Sequence, residues 1–199
     1  VKPRPRTLKA RTNATLRWLH IYTSMISLLV VLFFSLTGIT LNHPDWTFGS
    51  MEARRELSGT LPRGWIQGES VDWLTVAEDL RAAHNLRGRA QDTRFDAGEA
   101  SLSFRAPGYS ADVLIEAPSG KYSVNVDAQG FVAVMNDLHR GRDAGSAWAW
   151  VIDVSGLFLT LISVTGLALL FYLRKIRVKA LLVMVGGAVV VIALMRLAT

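Results

Sequence analysis

Two histidines stand where this chain could best do chemistry. The stretch LTGITLNH at 36–43 places His43 at the end of the first long apolar run, and DLHRG at 137–141 places His139 shortly before the second. A soluble segment separates them in the chain, but the topology reasoned below returns both to one membrane surface. Two neutral imidazoles converging between helices supply the two axial ligands of a b-type haem. The other reading of each is an interfacial histidine bonded to lipid headgroups or to nearby carboxylates such as Asp45 and Asp137. Zinc fits less well, because only two histidines converge where a zinc site takes three or four protein ligands. Around a haem, Asp45, Asp137 and Asp153 are candidates to accept the imidazole N–H groups.

His20 belongs elsewhere. It lies 23 residues before His43, ~35 Å along a helix, so the two cannot serve one haem. A haem at His20 needs its own second ligand, and neither of the other apolar runs offers a histidine at that depth. Met25, Met184 or a second copy of the chain are the candidates. The alternative is a histidine of the interfacial aromatic belt, beside Trp18 and Tyr22. Trp46, Trp148 and Trp150 are the matching belt on the opposite side. His84 ends a predicted helix, where its partial positive charge suits the helix dipole, and is read as structural.

These positions depend on membrane helices. The 199 residues include three uncharged stretches, Trp18–Pro44, Val154–Leu173 and Ala180–Met195. A helix of roughly 17–25 apolar residues crosses the hydrocarbon core. The first two runs meet that length, and the third meets it if Lys179 and Arg196 snorkel to the headgroups. Spans are expected at 18–43, 148–173 and 180–197. The first run is too long for the apolar core of a signal peptide, and no small-x-small cleavage pattern follows it.

Charge sets the orientation. Residues 1–17 carry Lys2, Arg4, Arg6, Lys9, Arg11 and Arg17 with no acid, and the turn 174–179 carries four more basic residues. Residues 44–147 carry 11 basic against 15 acidic residues. Basic flanks stay cytoplasmic, so 1–17 and 174–179 are expected inside and 44–147 outside, in the periplasm of a bacterial inner membrane. The net charge of +6 is then topology, and no nucleic-acid partner is implied. The chain has no cysteine, which excludes disulfides, thiolate sites and covalently attached haem.

Residues 44–70, with Pro44, Gly49, Gly59, Pro62, Gly64 and Gly68, are expected to form an irregular arm. Thr75 and Glu78 match a capping box, and Val76, Leu80 and Ala83 share one face of a helix at about 75–87 that Gly88 stops. The apolar period then changes to two through Leu102 and Phe104, Val113 and Ile115, and Tyr122, Val124 and Val126. APGYS, APSG and DAQG punctuate these runs with turn chemistry. A last apolar run, Phe131–Met135, leads to His139. One helix on three or four antiparallel strands between 100 and 135 makes a small α+β domain, with no catalytic constellation. On the first span His20, Ser24, Ser27, Val31, Ser35, Gly38 and Asn42 form a small, polar face. Asp153, Gly156, Thr160 and Ser163 do so on the second. Close helix packing accounts for both faces, and a flat cofactor between helices would need the same residues.

RWLH at 17–20, LTGITLNH at 36–43, DLHRG at 137–141 and IDVSGLFLTLISVTG at 152–166 together resemble the bacterial PepSY-associated transmembrane helix family, over nearly the whole chain. The resemblance implies a fold of membrane helices with a PepSY-like α+β domain inserted between the first two. Larger members include inner-membrane reductases that release iron from siderophores with haem held by transmembrane histidines. It implies that His43 and His139 occupy such ligand positions, with His20 near a third. This chain has three spans where those reductases have four or more, so a second haem is not implied. Two functions follow as expectations. One is a b-type haem redox protein, taking electrons from quinol or a partner subunit and passing them to a periplasmic acceptor such as chelated ferric iron. The other is a cofactor-free, membrane-anchored PepSY domain that binds, inhibits or assembles another protein. Gly186–Gly187 in the last run suits a homo- or hetero-oligomer.

Overall fold

The structure, a computed structural model, describes residues 7–198 apart from 47, 49–51, 69 and 118, and of Gln67 only the backbone. Lys2, Arg4 and Arg6 of the basic cluster, Gly49 of the expected arm and Pro118 of the APSG turn lie outside the described residues. Among the described residues three helices are long and apolar enough to cross a membrane: α1 (Leu8–Asn42), α4 (Gly145–Leu170) and α5 (Arg177–Ala198). Between α1 and α4 lie β1 (Ala53–Thr60), the short β2 (Ile66–Gln67) and β3 (Ser70–Val71), α2 (Trp73–His84), β4 (Arg89–Asp96), β5 (Glu99–Ala106), β6 (Tyr109–Glu116), β7 (Lys121–Ala128) and α3 (Phe131–Arg140). The chain divides into two compact units, Leu32–Ile152 and the residues up to Val31 together with those from Asp153 on.

In the first unit β1, β7, β6, β5 and β4 form, in that order, one antiparallel sheet. Register aligns its buried residues in rows. Ala100, Ile115 and Tyr122 make one row, Leu102, Val113 and Val124 the next, and Phe104, Ala111 and Val126 the third. Side chains alternate across a strand, so these rows share one face, which forms a single core with Val76, Ala77 and Leu80 of α2. Phe104 is fully buried at the centre. Phe104→Ala is expected to cost about 3–5 kcal/mol, read as lost hydrogen-exchange protection of β5–β7 in the full-length protein.

Three expectations for this segment need correction. The arm at 44–70 contains β1, an eight-residue strand paired along its whole length with β7. On the face that β1 turns toward Val124 and Val126 its only large apolar residue is Leu57, opposite Val124, and Gly59 is bare because the Tyr122 ring lies over it: a Cβ there would collide with the phenol. The sheet has five strands because β4 also joins it. The run Phe131–Met135 is the start of helix α3; four or five consecutive apolar residues do not by themselves distinguish strand from helix.

Helix α2 begins two residues earlier than expected, and its cap is Asp72, not Thr75. The Asp72 carboxylate accepts from the Thr75 N–H at 3.1 Å and the Thr75 hydroxyl at 2.8 Å. The backbone bond, then the side-chain bond, holds this carboxyl below the ordinary carboxylate pKa. The bonded form is therefore present at neutral pH and is lost as pH falls through that lowered value. At the other end of α2, His84 does take a structural part: its Nε2 bonds the Tyr122 hydroxyl at 2.8 Å. Burial, then the negative charge of Asp79, raises the Tyr122 phenol above its usual pKa.

Along α1 the buried positions are Thr23, Ser27 and Thr37, and along α4 Ser155 and Thr165. These faces are displaced from the expected ones. Val31, Ser35, Thr160 and Ser163 are exposed, and the last two hydroxyls satisfy themselves on the Gly156 and Leu159 carbonyls of their own helix. Helix α5 is apolar all round and none of its described residues is buried, as suits a helix facing lipid or a partner helix.

Candidate functional site

Helix α3 is the element that carries His139, and the sheet holds it. The β5–β6 hairpin turns through Pro107 and Gly108, where Gly108 has φ +63° and its N–H donates to Asp137 Oδ2 at 2.8 Å. Val134 of α3 packs against the same glycine so closely that a Cβ would collide with it. The positive φ and the close approach together require glycine here. Helix α3 ends in a left-handed Gly141 (φ 69°), with Arg142 N–H on the Asp137 carbonyl at 2.9 Å. Trp148 Nε1 donates to the Leu138 carbonyl at 2.7 Å. A glycine stop with a six-to-one backbone bond satisfies the last carbonyls of a helix. Asn136 is joined to the Thr40 hydroxyl of α1 at 2.6 Å.

His139 lies one turn further along α3, against α1. Its Nδ1 is 2.6 Å from Thr37 Oγ1, its ring is edge-on to Phe34 at 5.0 Å, and its Cε1 faces Gly38. The hydrogen-bond geometry fixes the tautomer. Thr37 Oγ1 also lies 2.6 Å from the Phe33 carbonyl oxygen. Two oxygens at that separation require a proton between them, and the hydroxyl has only one. Its proton is therefore on the Phe33 carbonyl, and Nδ1–H donates to the hydroxyl oxygen. Neutral His139 thus keeps the lone pair on Nε2, the form in which imidazole binds a metal.

The acceptor for the imidazole N–H is therefore a threonine, not a carboxylate. Asp137 is two residues from His139, about 200° round the helix, and its oxygens serve Gly108 N–H and Arg140. Sequence reading missed Thr37 because it is 102 residues from His139. The available signal was that Thr-Gly occurs twice in the apolar runs, at 37–38 and 165–166.

The second Thr-Gly seats His20. In the second unit His20 Nδ1 lies 2.9 Å from Thr165 Oγ1, which in turn donates to the Leu161 carbonyl at 2.7 Å. Gly166 faces the His20 Cε1. The Trp18 and Tyr22 rings meet at 5.0 Å, tilted by 45° to each other. Both histidines thus meet the same partners, a threonine through Nδ1 and a glycine through Cε1.

His43 follows the last residue of α1. Its N–H bonds the Thr40 carbonyl at 3.2 Å and its carbonyl accepts from Trp46 N–H at 3.0 Å. That turn stacks the imidazole on the Trp46 indole, with centroids 4.2 Å apart and planes at 11°. Among the described residues no hydrogen bond or ring contact joins His43 to His139.

A groove of about 600 Å³ is lined by Phe33, Thr37, Ile39, Trp46, Phe131 and Met135 among others. Apart from the Thr37 and Thr40 hydroxyls its walls are apolar. Its size falls within the roughly 300–1,000 Å³ of small-molecule and cofactor sites. Thr37, the partner of His139, and Trp46, the partner of His43, both line it. The apolar wall suits a flat apolar cofactor; His139 and His43 are not among the residues that line the groove, and each adjoins it through its partner, Thr37 or Trp46. No group of three or more His, Cys, Asp or Glu able to hold a bare metal ion occurs among the described residues.

No curated protein and no solved structure gives a match to this chain. A family model described as PepSY_TM-like matches residues 14–199, which takes in all three spans and the sheet between them. The chain therefore belongs to the PepSY_TM-like family of membrane proteins.

Proposed function

We propose that this protein is a b-type haem redox protein of the bacterial inner membrane. It passes electrons toward an acceptor on the sheet side, for which chelated ferric iron is the leading candidate, alone or as a subunit of a larger assembly fed by quinol. The observation that carries this reading is the His139 seat. There an imidazole at the end of an amphipathic helix is bonded through Nδ1 to Thr37, which leaves Nε2 outside that bond, and Thr37 lines an apolar groove. His139 and His43 would hold the iron, and the haem would supply one-electron chemistry. The residues around it have separate tasks: Thr37 orients the ligand, Phe33, Ile39 and Met135 exclude water, and Trp46 positions His43. The visible absorption spectrum of detergent-purified protein tests the reading, a Soret band supporting it and a colourless, folded protein sinking it.

The cofactor-free reading has one observation in its favour. Edge strand β4 is interrupted by a bulge between Gln91 and Arg94, with Asp92 at φ 54°, a device that blocks pairing by another strand. Edge strand β1 has unbroken register over eight residues and could accept a partner's strand.

The proposed orientation has its own test. Cysteines placed at Ser58 or Ser119, both exposed, should react with a membrane-impermeant thiol reagent in spheroplasts, and one at Thr12 should not. The opposite pattern would invert the topology and put the acceptor in the cytoplasm.

A further inference from the structure

His20 and His139 meet the same kinds of partner, but only His139 is carried by a short helix. His20 belongs to α1, which is 35 residues long. Helix α3 has ten residues, no side-chain cap at Gly130 and no buried residue, so neither length nor a core of its own fixes it. Contacts on two sides do. Toward α1, Thr40 donates to Asn136 Oδ1 at 2.6 Å, and His139 Nδ1 meets Thr37 Oγ1 at 2.6 Å. Residues three apart are neighbours on a helix surface, so both bonds lie along one edge of α3. Two contacts on one line leave a helix free to roll about that line.

The contacts that stop the roll come from the sheet. Val134 and Asp137, again three apart, face the β5–β6 hairpin. Val134 packs on Gly108, and Asp137 Oδ2 accepts the Gly108 N–H at 2.8 Å. The Asp137 side chain is 15% exposed, and its other oxygen accepts from Arg140 at 2.6 Å. Its carbonyl accepts the Arg142 N–H that closes the helix. One residue therefore ties the hairpin, the helix end and the loop after it. Asp137 lies about 200° round the helix from His139, so α3 is gripped between Gly108 and Thr37. The His139 bond has little tolerance. Lengthening it from 2.6 Å by about 1 Å reaches a separation at which no hydrogen bond remains.

We infer that Asp137 is a positioning residue for His139, and that through it the β5–β6 hairpin decides whether the imidazole keeps its Thr37 bond and presents Nε2 as a ligand. The ligand role rests on the haem reading; the positioning does not. The sheet then governs the ligand without supplying one.

The test uses the full-length, detergent-solubilised protein with isotopically labelled histidine and no cofactor. Asp137→Ala removes both side-chain bonds, and the nitrogen shifts of His139 should move from one Nδ1–H form to a mixture of tautomers, with His20 unchanged. Asp137→Asn keeps an oxygen for the Gly108 N–H and should restore the unaltered pattern. Arg140→Gln removes only the ion pair and should leave His139 unchanged. Hydrogen-exchange protection of β5–β7 should be the same in all three. At limiting haem, occupancy should fall roughly 10–100-fold in Asp137→Ala, the usual loss when a metal ligand loses its orienting group, and recover in Asp137→Asn. A folded Asp137→Ala protein with unaltered His139 shifts would overturn the inference. If that variant loses sheet protection, Val134→Ala takes its place, since it trims the other contact with the hairpin and breaks no hydrogen bond. It should move His139 in the same direction by less, and no movement would overturn the inference. A tautomer that responds in a protein binding no haem upholds the positioning and sinks the haem reading alone. A haem-binding protein whose tautomer and occupancy ignore Asp137→Ala does the opposite.

Discussion

His139→Ala, expressed with ample haem, is expected to yield a colourless protein where the unaltered chain shows a low-spin b-type spectrum. Two neutral imidazoles impose a strong axial field on iron, and with no cysteine in the chain nothing ties the porphyrin covalently. Loss of the more firmly held ligand is therefore expected to release the cofactor. His139 should matter more than His43, for a reason visible in the geometry. The His139 imidazole is fixed by Thr37, Phe34 and Gly38, whereas His43 is exposed and held by one stacking contact with Trp46. His43→Ala is accordingly expected to keep a five-coordinate, high-spin haem at reduced occupancy. His84→Ala should leave the spectrum unchanged, because its imidazole is bonded to Tyr122 within the sheet domain. Equal spectra for the His139→Ala and unaltered proteins would remove His139 from the site. A colourless unaltered protein would leave the strand-addition reading.

The contrast between what the sequence disclosed and what it hid follows from which forces dominate each element. The spans were legible because crossing a bilayer demands an uncharged run of a given length, and no tertiary contact can substitute for it. Strands β5, β6 and β7 were legible because the middle of a sheet buries every second residue. The edge strands were not: ARRELSGT and RAQDTRFD each bury little, and their strand character comes from pairing with β7 and β5. Helix α3 read as the tail of the meander because FVAVM has no polar residue to show its period, which appears only once Asn136, Asp137 and Arg140 are included. Of the site, the histidines themselves could be named from residue type and position. Their seats could not, since each depends on a threonine from a helix distant in the chain.

Thr37→Val tests the seat directly, and its effect is expected to be nearly as large as loss of a ligand. Valine preserves the shape of the side chain but removes the oxygen that accepts from His139 Nδ1–H. Half-buried and without that partner, the imidazole no longer has a reason to keep its proton on Nδ1 rather than Nε2. A fraction of molecules then presents N–H toward the place a metal would occupy, and the ring is free to turn. Loss of such an orienting partner typically lowers metal affinity 10–100-fold, so haem occupancy should fall by that order at limiting haem. Thr37→Ser restores the oxygen and should restore occupancy, which separates a hydrogen-bond role from a packing role. The tautomer can be read without any cofactor, from the nitrogen chemical shifts of isotopically labelled histidine in the detergent-solubilised protein. Unaltered protein should show His139 and His20 both as Nδ1–H. Thr37→Val should change His139 alone, and Thr165→Val should change His20 alone, since the two seats share no residue. If His139 is Nε2–H in the unaltered protein, the Thr37 hydroxyl points the other way and the seat cannot present a ligand. If the tautomer is as described but no haem binds, the threonine lock stands and only its assignment to haem falls.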